Sequence, residues 1–395
     1  MKTIQLKAGK EKAVKQHHPW VFSGAIDHIK TNPNAGEIIK LVNSKGDFLA
    51  YGYYNDQSKI TVRAIEWNEE HIVDDNWWKN KLERAINRRS DLFKSTDTDS
   101  FRLVYSEADG LPGLIVDKYA DYLVVQILTV GIEARKAIIV DALNAILKPK
   151  GIYERSDASA RSLEGLKASN GLLAGSEPEE FTQIKENGLT FVVNIPDGQK
   201  SGYFLDQRVT RKAIAEYCKN LDVLDCFCYA GGFTLNAKKV GAKSVISVDS
   251  SPLAIEMVKR NHQANEIGFK EEDLVRGDVN TTLRRFQQEN KKFDLIILDP
   301  PKLAPNRSAV DRALRAYKDL NLQALKILEP GGLLATFSCS GGIELSMLKQ
   351  AVAWAALDAG KEVQFVEQFI QPADHPVLAS FPESEYLKGL LCRVL

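Results

Sequence analysis

Four aspartates and one cysteine close short apolar runs in this chain: Asp225, Asp249, Asp278, Asp299 and Cys339. The first run, Val223 to Phe227, reads as a buried strand and stops at Tyr229-Ala230-Gly231-Gly232-Phe233. Helix-compatible residues, Leu235 to Val240, follow and end at Gly241, and a second apolar run, Val245 to Val248, ends in Asp249. This is a βαβ unit with a glycine turn after the first strand and an acid after the second. Glycines at such a turn let the backbone approach a ligand closely, and the acid accepts both hydroxyls of a ribose. The turn is not GxGxxG, which weighs against a dinucleotide with a pyrophosphate. An adenosine ligand without phosphate suits it better, and S-adenosylmethionine is such a ligand.

Asp299-Pro300-Pro301-Lys302 narrows the reaction. Two prolines stiffen a strand end and present an acceptor, Asp299 or the Pro300 carbonyl, to a substrate base. Methylation of an exocyclic amine in related motifs uses an aromatic that stacks on the base, and Lys302 cannot stack in that way. Cys339 opens another route. Carbon 5 of cytosine or uracil is too weak a nucleophile to take a methyl group directly. A thiolate adding at carbon 6 makes carbon 5 enamine-like and splits one hard step into two. Asp299 would hydrogen-bond ring nitrogen 3 and the amino group of cytosine. A further base must remove the carbon 5 proton, and the sequence does not identify it.

The elements that must hold these groups follow a simple order. Residues 1–73 read as a small β-rich module with strands at Glu37–Val42, Phe48–Tyr54 and Lys59–Ile65, separated by Asn- and Gly-containing turns. Lys7, Lys10, Lys12 and Lys15 precede His17-His18-Pro19-Trp20, a basic and aromatic cluster that reads equally as an RNA surface or as a solvated lysine face beside a core tryptophan. Residues 74–188 read as a linking α+β module. It has a helix from Asp75 to Phe93 with one basic side, a hairpin of Leu114–Tyr119 with Tyr122–Leu128, and a helix from Ile132 to Leu147. Residues 189–395 alternate strands with helices. The spacing predicts helices at Val209–Cys218, Pro252–Ala264, Thr281–Asn290 and Val310–Leu328, and strands at Phe293–Leu298, Leu333–Phe337 and Tyr386–Val394. That alternation is the mark of an α/β, doubly wound sheet, whose ligands bind beyond the carboxyl ends of its strands. All five chemistry-bearing residues stand at such ends. Just before this region, Gln199 to Arg208 places aromatics, a glycine and then Asp206-Gln207-Arg208 where a loop could cover a cofactor.

Composition sets outer bounds. At 395 residues the chain is long enough for two or three domains. Its formal net charge is zero, so a nucleic-acid surface must be a local patch. The absence of a long apolar run or charged leader points away from a membrane and toward the cytoplasm. Five cysteines without CxxC spacing read as reduced thiols with no zinc or other metal site.

Together, Asp225 to Phe233, Asp299-Pro300-Pro301-Lys302 and Ser338-Cys339-Ser340 resemble the class I methyltransferase domain of bacterial 23S rRNA (cytosine-5)-methyltransferases that carry an N-terminal PUA domain. His18 to Ile26 is similar to the PUA module of that family, and Gln199 to Arg208 to its cofactor-covering segment, with Ser201 where a threonine is expected. The resemblance spans essentially the whole chain, in order. It implies a Rossmann-like catalytic domain, S-adenosylmethionine as methyl donor and 23S rRNA as substrate, free or in a partly assembled subunit. Cys339 would be the nucleophile and Asp299 its catalytic partner. Asp225, Tyr229, Gly231, Gly232, Phe233, Asp249, Asp278, Asp299, Gln207 and Arg208 would lie about the cofactor. Pro300, Pro301 and Lys302, with Lys10, Lys12 and Trp20 of the first module, would meet the RNA. Two alternatives stay open: methylation of guanine on the same scaffold, with Cys339 structural, and a non-catalytic RNA-binding assembly factor. A homodimer is also left open.

Overall fold

The structure is a computed structural model that describes residues 1–29, 31–157, 159–304 and 306–395. The chain forms two compact units, each with its own interior. The first comprises Met1–Thr182, Asn194–Tyr203 and Asp374–Ser384; the second comprises Gln183–Val193, Phe204–Ala373 and Glu385–Leu395.

In the first unit β1 (Lys2–Leu6), β2 (Trp20–Phe22), β3 (Ile26–Ile29), β4 (Ile38–Val42), β5 (Phe48–Tyr54) and β6 (Ile60–Glu66) make one sheet in the order β2-β6-β5-β4-β1-β3. A short helix, α1 (Lys12–Lys15), lies between β1 and β2. Ile4, Leu6, Ile39, Leu41 and Val62 fill the core of this sheet, because alternate residues of each strand face the same way. The stretch Asp75–Phe93 is two helices, α2 (Asp75–Asn87) and α3 (Ser90–Phe93), interrupted where Arg89 leaves helical geometry. Asp74 caps α2 by accepting from the Trp77 amide. A second sheet has the order β11-β10-β9-β8-β7, built from β7 (Phe101–Tyr105), β8 (Leu114–Tyr119), β9 (Tyr122–Ile127), β10 (Gly151–Ser156) and β11 (Ser169–Gly175). The helix expected over Ile132–Leu147 is likewise broken, into α4 (Val130–Glu133) and α5 (Lys136–Leu147), because Arg135 leaves helical geometry. One further turn of helix, α6 (Ser159–Ser162), precedes β11.

The second unit carries β12 (Thr182–Glu186) and β13 (Leu189–Val193) as a two-stranded sheet, and a seven-stranded sheet. The latter comprises β14 (Asp222–Cys226), β15 (Ser244–Asp249), β16 (Leu274–Arg276), β17 (Phe293–Leu298), β18 (Leu328–Ser338), β19 (Val363–Phe369) and β20 (Lys388–Val394). Its order is β16-β15-β14-β17-β18-β20-β19, parallel through β18 and antiparallel for β20 against both neighbours. The helices are α7 (Arg208–Ala215), α8 (Gly232–Lys239), α9 (Pro252–Ala264), α10 (Val279–Gln288), α11 (Val310–Lys326) and α12 (Leu345–Ala359). Two apolar clusters are drawn from alternate strand positions. One holds Leu224, Cys226, Ile296 and Leu298 with α11 and α12; the other holds Val223, Leu295 and Ile297 with Ile214 and Phe233. The strand order reverses between β14 and β17, so a crevice opens there at the carboxyl ends.

β18 differs from expectation. It starts at Leu328 and runs through Gly331 and Gly332, whereas the pattern predicts a helix up to Leu328 and a strand only from Leu333. Leu328 pairs with Phe293 and Leu333 with Leu295, so the residues between form a bulge that a left-handed Gly331 (φ 77°) accommodates.

Candidate active site

The turn after β14 is held in an unusual backbone conformation. Phe227, Tyr229 and Gly231 all have positive φ, at 63°, 48° and 75°. For the two aromatics this is strained geometry, which persists only where the surroundings enforce it. Enforcement comes from hydrogen bonds: the Cys228 amide donates to Val248 O (3.1 Å), the Tyr229 amide to Asp249 Oδ2 (3.0 Å) and the Gly231 amide to Cys228 O (2.7 Å). Asn261 of α9 donates to Ala230 O at 2.8 Å and accepts from the Val192 amide at 2.6 Å, tying the turn to β13. A Cβ on Gly231 would lie 3.3 Å from Leu235 and Val258, so this position suits glycine in both space and φ.

Asp249 ends β15 half-buried, its Oδ1 accepting from the Ser251 amide (2.9 Å) and its Oδ2 from Tyr229. Each oxygen keeps a lone pair for a ligand hydroxyl. Asp278, past β16, is exposed and caps α10, its Oδ1 accepting from the Thr281 amide (2.8 Å) and hydroxyl (2.9 Å). The Gly277 amide donates to Asp249 O (3.0 Å), which brings the ends of β15 and β16 together.

Asp225 is fully buried beneath the turn. Its Oδ2 accepts from the Thr234 amide (3.0 Å) and hydroxyl (2.7 Å), and Thr234 Oγ1 accepts in turn from Ser247 Oγ (2.7 Å). Burial pushes this carboxyl up to about 7 against the pull of the Thr234 bonds, and the charges of Asp299 and Asp249 push the same way. Asp225 Oδ1 and Gln207 Oε1 are buried oxygens without a hydrogen-bond partner among the described residues. Such orphan acceptors call for a donor. S-adenosylmethionine brings donors, an ammonium and ribose hydroxyls, so the residues present fit it.

Gln207 and Arg208 open α7, and both are buried. Gln207 Nε2 donates to Asp299 Oδ2 at 3.1 Å, and Arg208 O accepts from Asn187 Nδ2 at 3.0 Å. Asp206 accepts from the Tyr386 hydroxyl (2.5 Å), while Phe204 meets Tyr229 edge-on at 5.3 Å. The Phe233 ring lies in the apolar interior, stacked on Phe337 at 5.6 Å, which leaves its backbone alone to face the turn. Gly232 begins α8 beside it.

Asp299 follows β17, and Cys339 follows the adjacent β18. The residues flanking Cys339 are pinned: Tyr317 of α11 donates to Ser338 Oγ (2.8 Å), and the Ala304 amide to Ser340 Oγ (3.1 Å). Cys339 is the partly exposed cysteine, and Cys218, Cys226, Cys228 and Cys392 are all buried. Burial pushes the Cys218 and Cys392 thiols up to about 12 and those of Cys226 and Cys228 well above the ordinary value. Pro300 is buried, whereas Pro301 and Lys302 are exposed.

The remaining candidates belong to the first unit. Lys10 and Lys12 are exposed. The Trp20 indole N–H donates to Glu107 Oε1 (2.8 Å), and its ring packs on Phe381 (4.7 Å). Sequence reasoning missed Asn261, Ser247, Tyr317 and Thr234, which act on the turn or on the neighbours of Cys339. They sit inside helices or strands where polar residues carry no local motif. Among the described residues there is no cluster of three or more metal-ligating side chains, and no helix long and apolar enough to cross a membrane.

Residues 4–67 match the PUA-like domain family, and residues 167–393 match the S-adenosylmethionine-dependent methyltransferase family. The chain is 41% identical over 392 residues to the Ribosomal RNA large subunit methyltransferase I of Enterobacter sp. (strain 638), covering 99% of each. It is 42% identical over 393 residues to the protein of that name from Aliivibrio fischeri (strain ATCC 700601 / ES114), covering 100% of this chain and 99% of the other. Among solved structures, a Streptococcus mutans protein described as a SAM-dependent methyltransferase shares the fold, with a TM-score of 0.85, 22% identity and full coverage of both chains. Another, a methyltransferase complexed with SAH, aligns with a TM-score of 0.87 at 23% identity, also over the full length of both.

Proposed function

The chain belongs to the S-adenosylmethionine-dependent methyltransferase family, and from that premise we propose that it methylates carbon 5 of a cytosine in large-subunit ribosomal RNA through a covalent adduct on Cys339. The observation that carries this reading is the contrast among the thiols. Four are buried and held protonated, whereas Cys339 is accessible at the end of β18, next to the strand that ends in Asp299. The RNA substrate is supported by the full-length relatives, whose name is Ribosomal RNA large subunit methyltransferase I, and by the PUA-like domain over residues 4–67.

S-adenosylmethionine, when bound, supplies a methyl group on a sulfonium, an electrophile suited to a carbon nucleophile. Asp249 holds the ribose, and the Tyr229–Gly232 turn holds the adenosine side. The buried acceptors Gln207 Oε1 and Asp225 Oδ1 meet donors of the ligand. Asp299 accepts from the amino group and from nitrogen 3 in its protonated form, and so favours the protonated, electron-poor cytosine. Cys339 thiolate adds to carbon 6, and the electron pair moves to carbon 5, which takes the methyl group. Loss of the carbon 5 proton to a base returns the pair, re-forms the ring double bond and expels the thiolate. A paired target base must first leave its stack.

The test is nucleoside analysis of rRNA from cells lacking this enzyme, incubated with it and labelled S-adenosylmethionine. Label in 5-methylcytidine, lost in Cys339→Ala, is expected. Label in a methylated guanosine would keep fold and cofactor but reduce Cys339 to packing. Absence of label from every nucleoside would favour a binding role.

A further inference from the structure

We propose that Lys388 is the cation that holds Cys339 in its thiolate form, so that thiol activation depends on the pairing of β18 with β20. The inference rests on the reading of Cys339 as nucleophile given above. Lys388 opens β20 and pairs directly with Ser338, the residue before Cys339. Directly opposed residues of antiparallel strands put their side chains on the same face. Ser338 uses that face to accept from Tyr317, so Lys388 starts beside the same end of β18. The next residue fixes the arrangement: a Cβ on Gly389 would lie 2.4 Å from the Phe337 ring and 3.0 Å from Phe369 Cβ. Only glycine permits this approach, and it locks the start of β20 against β18.

Lys388 is only 5% exposed, and its Nζ donates to Tyr386 O at 3.3 Å. A buried ammonium is costly unless charges compensate it, and an apolar residue would fit the Leu390-Leu391 strand better on packing alone. The compensating groups come from three elements. Burial is the largest influence and pulls the Lys388 ammonium below its ordinary value; Glu385 before β20, Cys339 after β18 and Glu344 before α12 each push it back toward the charged form. Attraction between Lys388 and the sulfur is mutual, so the ammonium favours the thiolate as the thiolate favours the ammonium. Of the groups beside Cys339, Tyr317 is pushed up to about 12 by burial and stays neutral, its hydroxyl donating a hydrogen bond to Ser338.

A fixed ammonium serves both covalent steps. It raises the thiolate fraction before addition to carbon 6, and it stabilises the same thiolate when carbon 5 loses its proton and the carbon–sulfur bond breaks. The thiol proton goes to solvent. Lys388 stays protonated throughout, so it is a positioning residue and does not take the carbon 5 proton.

The experiment is alkylation of the full chain by iodoacetamide across pH 5 to 10, with modification of each cysteine followed by mass spectrometry. The four buried thiols report unfolding. In Lys388→Met the Cys339 midpoint is expected to move up by about one pH unit, which slows alkylation at neutral pH about tenfold. Lys388→Arg keeps the charge and should stay near the wild type. Superimposable wild-type and Lys388→Met profiles would overturn the proposal. Should Lys388→Met expose the buried thiols, the wild-type midpoint decides alone: a value at or above about 8.5, the ordinary thiol, overturns it and a lower one supports it. No RNA is involved, so this outcome is separate from the nucleoside test. Methylation retained by Cys339→Ala would remove the nucleophile while leaving the Lys388–Cys339 pair to be judged by alkylation.

Discussion

Replacing Asp225 with asparagine should turn a pH-dependent stability into a flat one. The carboxyl is fully buried, and its folded-state value is about 7 against an ordinary 3.8. Between those values the folded protein keeps a proton that the unfolded chain releases. Wild-type stability is therefore fully present below about pH 4, falls as pH rises, and levels off above about pH 7. A gap of about three pH units corresponds to on the order of 4 kcal/mol, of which roughly 2 to 3 kcal/mol falls between pH 5 and pH 8. Asparagine keeps an oxygen for the two Thr234 bonds but places an amide N–H₂ where Oδ1 has no partner among the described residues. That costs about 1–3 kcal/mol at every pH. The variant should thus melt below the wild type at pH 5 and gain on it steadily toward pH 8. Scanning calorimetry of both full-length proteins without ligand, at several pH values, reads this directly. A melting-temperature gap that does not change with pH would show that Asp225 is not a buried acid titrating near neutrality.

Two further predictions concern ligands. Asp249→Ala removes the acceptor proposed for the ribose and should weaken S-adenosylmethionine about ten- to hundredfold in titration calorimetry while RNA binding persists; unchanged affinity would take Asp249 out of the site. Reversing the exposed Lys10 and Lys12 to glutamate should weaken RNA binding and flatten its dependence on salt by about one to two in the log–log slope. Identical slopes would mean that these lysines touch no phosphate.

The class of fold was legible because buried parallel strands are continuous apolar runs, and Phe293–Leu298 and Pro252–Ala264 have the extents their patterns predict. S-adenosylmethionine as the cofactor was legible for a related reason: the glycine turn and the strand-end acid belong to one short βαβ unit. β1, β2, β3, β11 and β12 were not anticipated. Each is short or half-exposed, and strands such as Ser169–Gly175 lack the alternation that marks one buried face. Gly331-Gly332 misled because glycine serves equally as a strand stop and as a bulge, and only the partner strand decides. Lys388 was invisible for the same kind of reason. Its neighbour Ser338 lies fifty residues earlier in the chain, and nothing local says that the two will pair.

β20 follows every other strand of its sheet in the chain yet lies between β18 and β19. During synthesis the earlier strands emerge first, so this sheet cannot close until Lys388–Val394 has left the ribosome. Until then β18, with Leu334 and Phe337, has an open edge, and β19 has no strand to join. The last strand to arrive also delivers Lys388. Under the proposed role of that lysine, a half-made chain carries an ordinary thiol at Cys339, and a reactive one is formed only when the fold is finished.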